Sequence, residues 1–171
     1  GNVANFTAPT VTGSESLAAG SGAKATGSNS TAIGNGAIAT GSNSVALGQG
    51  ATASGNSATA LGQGAMAAGN NSVAIGTTSS DAGRSNVVSL GSAGAERQIT
   101  NVAAGTEGTD AVNLNQLNQM GSQINNQFGN LQHQIDVNRR EANAGTAGAM
   151  AMAGMPQAYQ PGKNMVAAGA A

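Results

Sequence analysis

The first half of this chain repeats itself every fourteen residues, and that period limits what it can fold into. Glycines at 13, 27, 41, 55 and 69 head the successive units GSESLAAGSGAKAT, GSNSTAIGNGAIAT, GSNSVALGQGATAS, GNSATALGQGAMAA and GNNSVAIGTTSSDA. A sixth, partial unit begins at Gly83 and closes as Asn86-Val87-Val88-Ser89-Leu90-Gly91. Each unit holds two short alternating stretches, typified by Ser72-Val73-Ala74-Ile75-Gly76 and Gly50-Ala51-Thr52-Ala53-Ser54. Period-two alternation bounded by Gly reads as strand and turn. Two strands and two turns in so short a unit make one coil of a parallel β-solenoid, in which each strand pairs with its copy in the next unit.

The repeat also names a core. A large aliphatic residue recurs at Ile33, Leu47, Leu61 and Ile75, with Ala19 in the first unit. Alanine recurs at 23, 37, 51 and 65, and again at 25, 39, 53 and 67. Burying one large side chain per coil contributes roughly 1.5–3 kcal/mol, whereas ordering each backbone residue costs about 1–2 kcal/mol. Composition does not close that gap, because only 2% of residues are aromatic, none is Trp, and much of the apolar fraction is Ala. The sequence therefore predicts that several chains share one core, with Ile33, Leu47, Leu61 and Ile75 at its centre.

After Gly91 the pattern changes. Residues 96–109 are polar and irregular and read as a connector, and from Thr109-Asp110 the spacing turns helical, with Thr109 or Asp110 placed as N-cap. Taking Leu114 as heptad position a, the a positions are Leu114, Gly121, Phe128, Ile135 and Ala142, and the d positions are Leu117, Ile124, Leu131 and Asn138. This is a coiled-coil seam in which Asn138 specifies register at some cost in stability. Beyond Arg139-Arg140 the chain becomes rich in Ala, Gly and Met; Pro156 and Pro161 stop the helix, and Gly162 to Ala171 reads as extended.

Head repeat, connector and heptads, in that order, resemble the trimeric autotransporter adhesin (YadA-like) family. The repeats resemble its left-handed parallel β-roll head. Glu96-Arg97-Gln98-Ile99-Thr100-Asn101-Val102-Ala103-Ala104-Gly105 and then Thr109-Asp110-Ala111-Val112-Asn113-Leu114-Asn115-Gln116-Leu117 resemble its neck. Gly148-Ala149-Met150-Ala151-Met152-Ala153 and Pro161-Gly162-Lys163 resemble the start of its C-terminal anchor. The resemblance implies a mainly β chain organised as a β-roll head (1–91), a neck connector (92–112), a trimeric coiled-coil stalk (113–143) and an incomplete membrane-anchor start (144–171). It implies a homotrimer at the bacterial cell surface, held in the outer membrane by the parent protein's complete anchor and attaching to host extracellular-matrix or cell-surface molecules. At the neck it implies contacts between chains through Arg97, Asn101, Asp110 and Asn113; solvated loop charges are the alternative for Arg97, Glu107 and Asp110. It also suggests that Asn138 could hold an anion on the trimer axis. The chain opens without a signal peptide and ends within the first strand of the anchor's barrel, so a fragment is expected.

Other chemistries find little support. His133 falls at an outward f position with no convergent partner, so no catalytic set assembles around it and no enzyme is expected. The Gly-x-Gly runs at 20–22 and 48–50 lack the following helix that a phosphate loop needs. Calcium-binding rolls carry Asp in each turn, whereas these repeats hold only Asp81. A net charge of -1 with no basic stripe leaves nucleic acid without an electrostatic footprint, and the absence of Cys excludes disulfides and thiolate metal sites. No cofactor is expected. The outward residues Lys24, Ile38, Thr52 and Met66 occupy equivalent coil positions and are the candidate ligand-facing set. An ice-binding solenoid is the alternative function, but those four positions do not form a regular Thr array.

Overall fold

A computed structural model describes residues 6–154, which divide into two units between Ile99 and Thr100. Pro156, Pro161 and the segment 162–171, expected to end the helix and run extended, lie outside the described residues.

The first unit is a parallel β-roll. Strands β1 (Thr10–Val11), β3 (Lys24–Ala25), β5 (Ile38–Ala39), β7 (Thr52–Ala53) and β9 (Met66–Ala67) form one sheet in that order. Strands β2 (Leu17–Ala19), β4 (Thr31–Ile33), β6 (Val45–Leu47), β8 (Thr59–Leu61), β10 (Val73–Ile75) and β11 (Val88–Ser89) form the other. The chain alternates between the sheets, and all neighbours pair in parallel, with partners fourteen residues apart as far as β10.

The interior differs from the expected core. Apart from Asp81 at its C-terminal end, the buried side chains of the coil are small: Ala23, Ala25, Ala32, Ala37, Ala39, Ala46, Ala51, Ala53, Ala58, Ala60, Ala65, Ala67 and Ala74, together with Ser30, Ser44, Ser72 and Ser79. The alanines at 32, 46, 60 and 74, one in each of β4, β6, β8 and β10, were not foreseen as core. Ile33, Leu47, Leu61 and Ile75 face outward, 37–41% exposed. The reason is width: two strands joined by two tight corners enclose room for methyl and hydroxymethyl groups only. Buried serines bond locally, Ser44 Oγ donating to the Gly41 carbonyl at 2.6 Å and Ser72 Oγ to that of Gly69 at 2.7 Å.

The corners explain the glycines and asparagines. Asn29, Asn43, Asn71 and Asn86 sit at φ 56–58°, the left-handed region that Asn tolerates better than most side chains. At Gly41 the constraint is space: a Cβ there would lie 1.9 Å from the Gly55 carbonyl oxygen of the next coil. The sixth unit is displaced by one residue from the sequence reading. Val73 pairs with Val88 and Ala74 with Ser89, fifteen apart, and Arg84 rather than Gly83 stacks on Gly69. The extra residue is absorbed at Asp81-Ala82-Gly83, where Ala82 and Gly83 both have positive φ.

The second unit contains a polar loop and one helix, α1 (Leu114–Ala153). Its N-cap is Asn113, not Thr109 or Asp110. Asn113 Oδ1 accepts from the Gln116 N–H at 3.1 Å, and Gln116 Oε1 accepts from the Asn113 N–H, a reciprocal capping box. Asp110 lies upstream and accepts from the N–H groups of Thr106 and Glu107 at 2.9 and 3.0 Å. The helix continues without interruption from the stalk segment into the first ten residues of the 144–171 segment.

Candidate functional site

The feature most available for interaction on the roll is the outer surface of the six-stranded sheet. Parallel register stacks equivalent residues into two columns. Leu17, Thr31, Val45, Thr59, Val73 and Val88 form one, and Ala19, Ile33, Leu47, Leu61 and Ile75 the other. Strand alternation requires this: with Ala32, Ala46, Ala60 and Ala74 inward, their neighbours on both sides must point out. An in-register apolar stripe along a whole sheet is not ordinary surface scatter and marks an interaction surface.

The opposite sheet presents Lys24, Ile38, Thr52 and Met66 as a single outward line, in register through each pair of strands. Thr10 extends it at one end, and a bridge from Met66 to Ser80 at the other. This line mixes a cation, two apolar residues and hydroxyls, so no single ligand chemistry is written in it.

At the C-terminal end of the roll the alanine columns give way to polar groups that the sequence reading did not assign. Asp81 replaces the alanine found at 25, 39, 53 and 67, and it is buried. Its carboxylate accepts from the N–H groups of Ala68, Gly69 and Gly83 at 3.1, 2.8 and 2.9 Å, and from the Ser72 hydroxyl. Burial raises its pKa, but the Ser72 hydroxyl and these three N–H groups together outweigh burial and leave it below the usual carboxylate value.

Arg97 bonds within its own chain: Nη1 donates to Ser79 Oγ at 2.8 Å and to the Leu90 carbonyl at 2.7 Å, and Nη2 to the Thr77 carbonyl at 2.6 Å. Among the described residues the salt bridge found is Arg139–Asp136. Glu96 accepts from the Gly94 N–H at 2.9 Å.

In the second unit, Asn113 Nδ2 donates to the Val102 carbonyl at 3.2 Å, and Gln116 both donates to and accepts from Gly105 at 3.0 Å. Asn101 turns the chain at φ 60°. The seam residues Leu114, Leu117, Ile124, Phe128, Leu131 and Ile135 are all exposed, and α1 has no buried residue. Asn138 is exposed on the same helix, and His133 makes no described hydrogen bond. Among the described residues no three His, Cys, Asp or Glu come together, and no helix is long and apolar enough to cross a membrane.

A parallel β-roll built from fourteen-residue repeats, with a helix carrying an exposed heptad pattern in the second unit, defines a repeat protein with a helical stalk segment. The comparisons agree. The "YadA head domain repeat" matches residues 12–37, 39–65 and 53–79, and the "coiled stalk of trimeric autotransporter adhesin" matches 98–139. The chain belongs to the YadA-like trimeric autotransporter adhesin family.

Its relatives include autotransporter adhesin EhaG of Escherichia coli O157:H7, 34% identical over 89 residues, which are 50% of this chain and 6% of that protein. Autotransporter adhesin NhhA of Neisseria meningitidis serogroup B is 44% identical over 72 residues, 42% of this chain and 11% of that protein. The chain thus spans a small part of the curated relatives it matches. The crystal structure of the collagen-binding domain of the Yersinia adhesin YadA is 31% identical, covers 66% of this chain and 86% of its own, and has a TM-score of 0.43.

Proposed function

We propose that this segment is the trimeric head and stalk of a non-enzymatic surface adhesin, attaching its bacterium to host matrix or cell-surface molecules while the parent protein is held in the outer membrane. The observation that carries the reading is the paired apolar columns on the six-stranded sheet. Ile33, Leu47, Leu61 and Ile75 retain about two fifths of their surface, so covering them contributes roughly 1 kcal/mol each. Three chains meeting through this face and through the α1 seam would bury both stripes at once. The other sheet, with Lys24, Ile38, Thr52 and Met66, then faces outward in three copies, and shallow contacts gain strength through multivalency. The neck residues Arg97, Asn101, Asp110 and Asn113 hold the loops between the two stripes. An ice-binding role is not favoured by any of these features.

The test is mass in solution by light scattering, for the chain and for Leu47→Asp with Leu61→Asp. The expected result is a trimer for the chain and a smaller species for the double variant. A monomeric chain would overturn the reading. Binding of the trimer and of Lys24→Ala/Met66→Ala to immobilised matrix proteins then examines the outward line.

A further inference from the structure

The C-terminal end of the roll is closed by a side chain acting as a coil. In each earlier corner the next coil's backbone fills one spot: a Cβ on Gly34, Gly48 or Gly62 would lie 2.4–2.7 Å from the carbonyl oxygen of Gly48, Gly62 or Gly76. At Gly76 that spot is not filled by the carbonyl of the equivalent glycine, Gly91. The nearest atoms there are Nη1 and Cζ of Arg97, at 3.1 and 3.2 Å. The hydrogen bonds follow the same substitution. The Asn35, Gln49 and Gln63 carbonyls accept from the N–H groups of Gly50, Gly64 and Thr78 in the next coil, whereas the corresponding Thr77 carbonyl accepts from Arg97 Nη2. The Ile33, Leu47 and Leu61 carbonyls accept from the N–H groups of Gly48, Gly62 and Gly76, whereas the equivalent Leu90 carbonyl accepts from Arg97 Nη1.

We propose that Arg97 is the terminating cap of the β-roll, its guanidinium standing in for the two backbone donors of a coil that is not there. A solenoid end exposes unpaired strand carbonyls that would otherwise template further pairing. Only a planar fork with donors on both arms reaches two carbonyls on successive coils at once, which an ammonium does not do. Arg97 lies between the head and stalk matches, at 79 and 98, and is reached from Gly91 by a tight turn in which the Gly94 N–H bonds Glu96. The C-terminal end of the roll is thus closed by Arg97 and by buried Asp81.

Amide hydrogen exchange on the whole chain tests this, with Arg97→Ala, Arg97→Lys and, as control, Arg84→Ala. The reporters are the Val73 N–H, bonded to the Val87 carbonyl, and the Ser80 N–H, bonded to the Gly91 carbonyl; the Thr31 N–H, bonded to Ser44, reports the roll at a distance. Losing three charge-assisted bonds is expected to speed exchange at Val73 and Ser80 by about tenfold or more, leaving Thr31 and the trimer mass unchanged. Arg97→Lys should fall between Arg97→Ala and the parent, and it decides the matter if Arg97→Ala does not fold. Exchange at Val73 and Ser80 equal to that of Arg84→Ala, or acceleration spread equally to Thr31, overturns the cap. A fall in trimer mass without local acceleration also overturns it, because Arg97 would then be serving a neighbouring chain.

Discussion

Replacing Gly41 by Ala separates two roles that glycine plays in this roll. The added methyl would sit 1.9 Å from the Gly55 carbonyl oxygen and 2.5 Å from its carbon, both backbone atoms of the next coil. Reaching ordinary contact requires the coils to part by roughly 1.5 Å, which no hydrogen bond at that corner survives. The bonds at stake run from the N–H groups of Thr40 and Gly41 to the Ala53 carbonyl, from Ser42 to Asn56 Oδ1, and from Ser57 to the Ser42 carbonyl. At about 1 kcal/mol each the loss is roughly 4 kcal/mol. Gly50→Ala is the matched control. Its φ is +66° and a Cβ there meets nothing within 4 Å, so the cost is that of a left-handed alanine, about 1–2 kcal/mol. Urea denaturation followed by far-ultraviolet circular dichroism, at one protein concentration, gives both values. Equal destabilisation by the two substitutions would refute the argument that stacking distance, rather than backbone conformation, selects glycine at 41.

Three further outcomes are expected. Because Asp81 has a lowered pKa in the folded chain, its stabilisation is present above the ordinary carboxylate range and is lost as pH falls through the lowered value. Asp81→Asn should therefore weaken the roll at pH 7 and flatten its acid limb, and urea midpoints that run parallel to those of the parent from pH 7 to pH 3 would count against this. Asn113→Ala removes the α1 N-cap and should cost about 1 kcal/mol in helix stability, with Asn113→Asp recovering most of it; helical ellipticity on heating reads both. His133→Ala, on an exposed helix face, should leave trimer mass and melting unchanged, and a shift in either would assign His133 a role its position does not suggest.

Much of this was legible before any coordinates. The fourteen-residue period gave the parallel register, and the change of spacing after Asp110 gave the helix. A core shared between chains needs Ile33, Leu47, Leu61 and Ile75 on the outside of the coil, where they lie. What was not read is the coil's own interior: alternation separates Ala32 from Thr31 and Ile33 but does not say which set faces in, and a coil this narrow takes the smaller one. The Asn113 cap was readable, since Asn113 and Gln116 have capping-box spacing, but the earlier Thr109-Asp110 pair competed for the assignment. Asp81 left a signal too, as the one acidic residue in an alanine column. The partners of Arg97 left none, because Thr77 lies twenty residues upstream and no periodicity connects them.

The inverted arrangement has an energetic meaning. A roll that keeps only methyl and hydroxymethyl groups inside gains its internal stability chiefly from backbone pairing and close stacking, with little apolar area removed from water. Its larger side chains, Leu17, Val45, Leu47, Leu61 and Ile75, remain on one outer face, and α1 likewise buries nothing by itself. In the proposed trimer the hydrophobic free energy of these larger side chains would come from association. Folding and assembly should then be one transition, and mass action makes such a transition depend on concentration. Diluting the chain a hundredfold should lower its melting temperature, with the head and helix signals falling together. A concentration-independent melt, or a helix signal lost far below that of the sheet, would show that the outer stripe and the seam do not act as one interface.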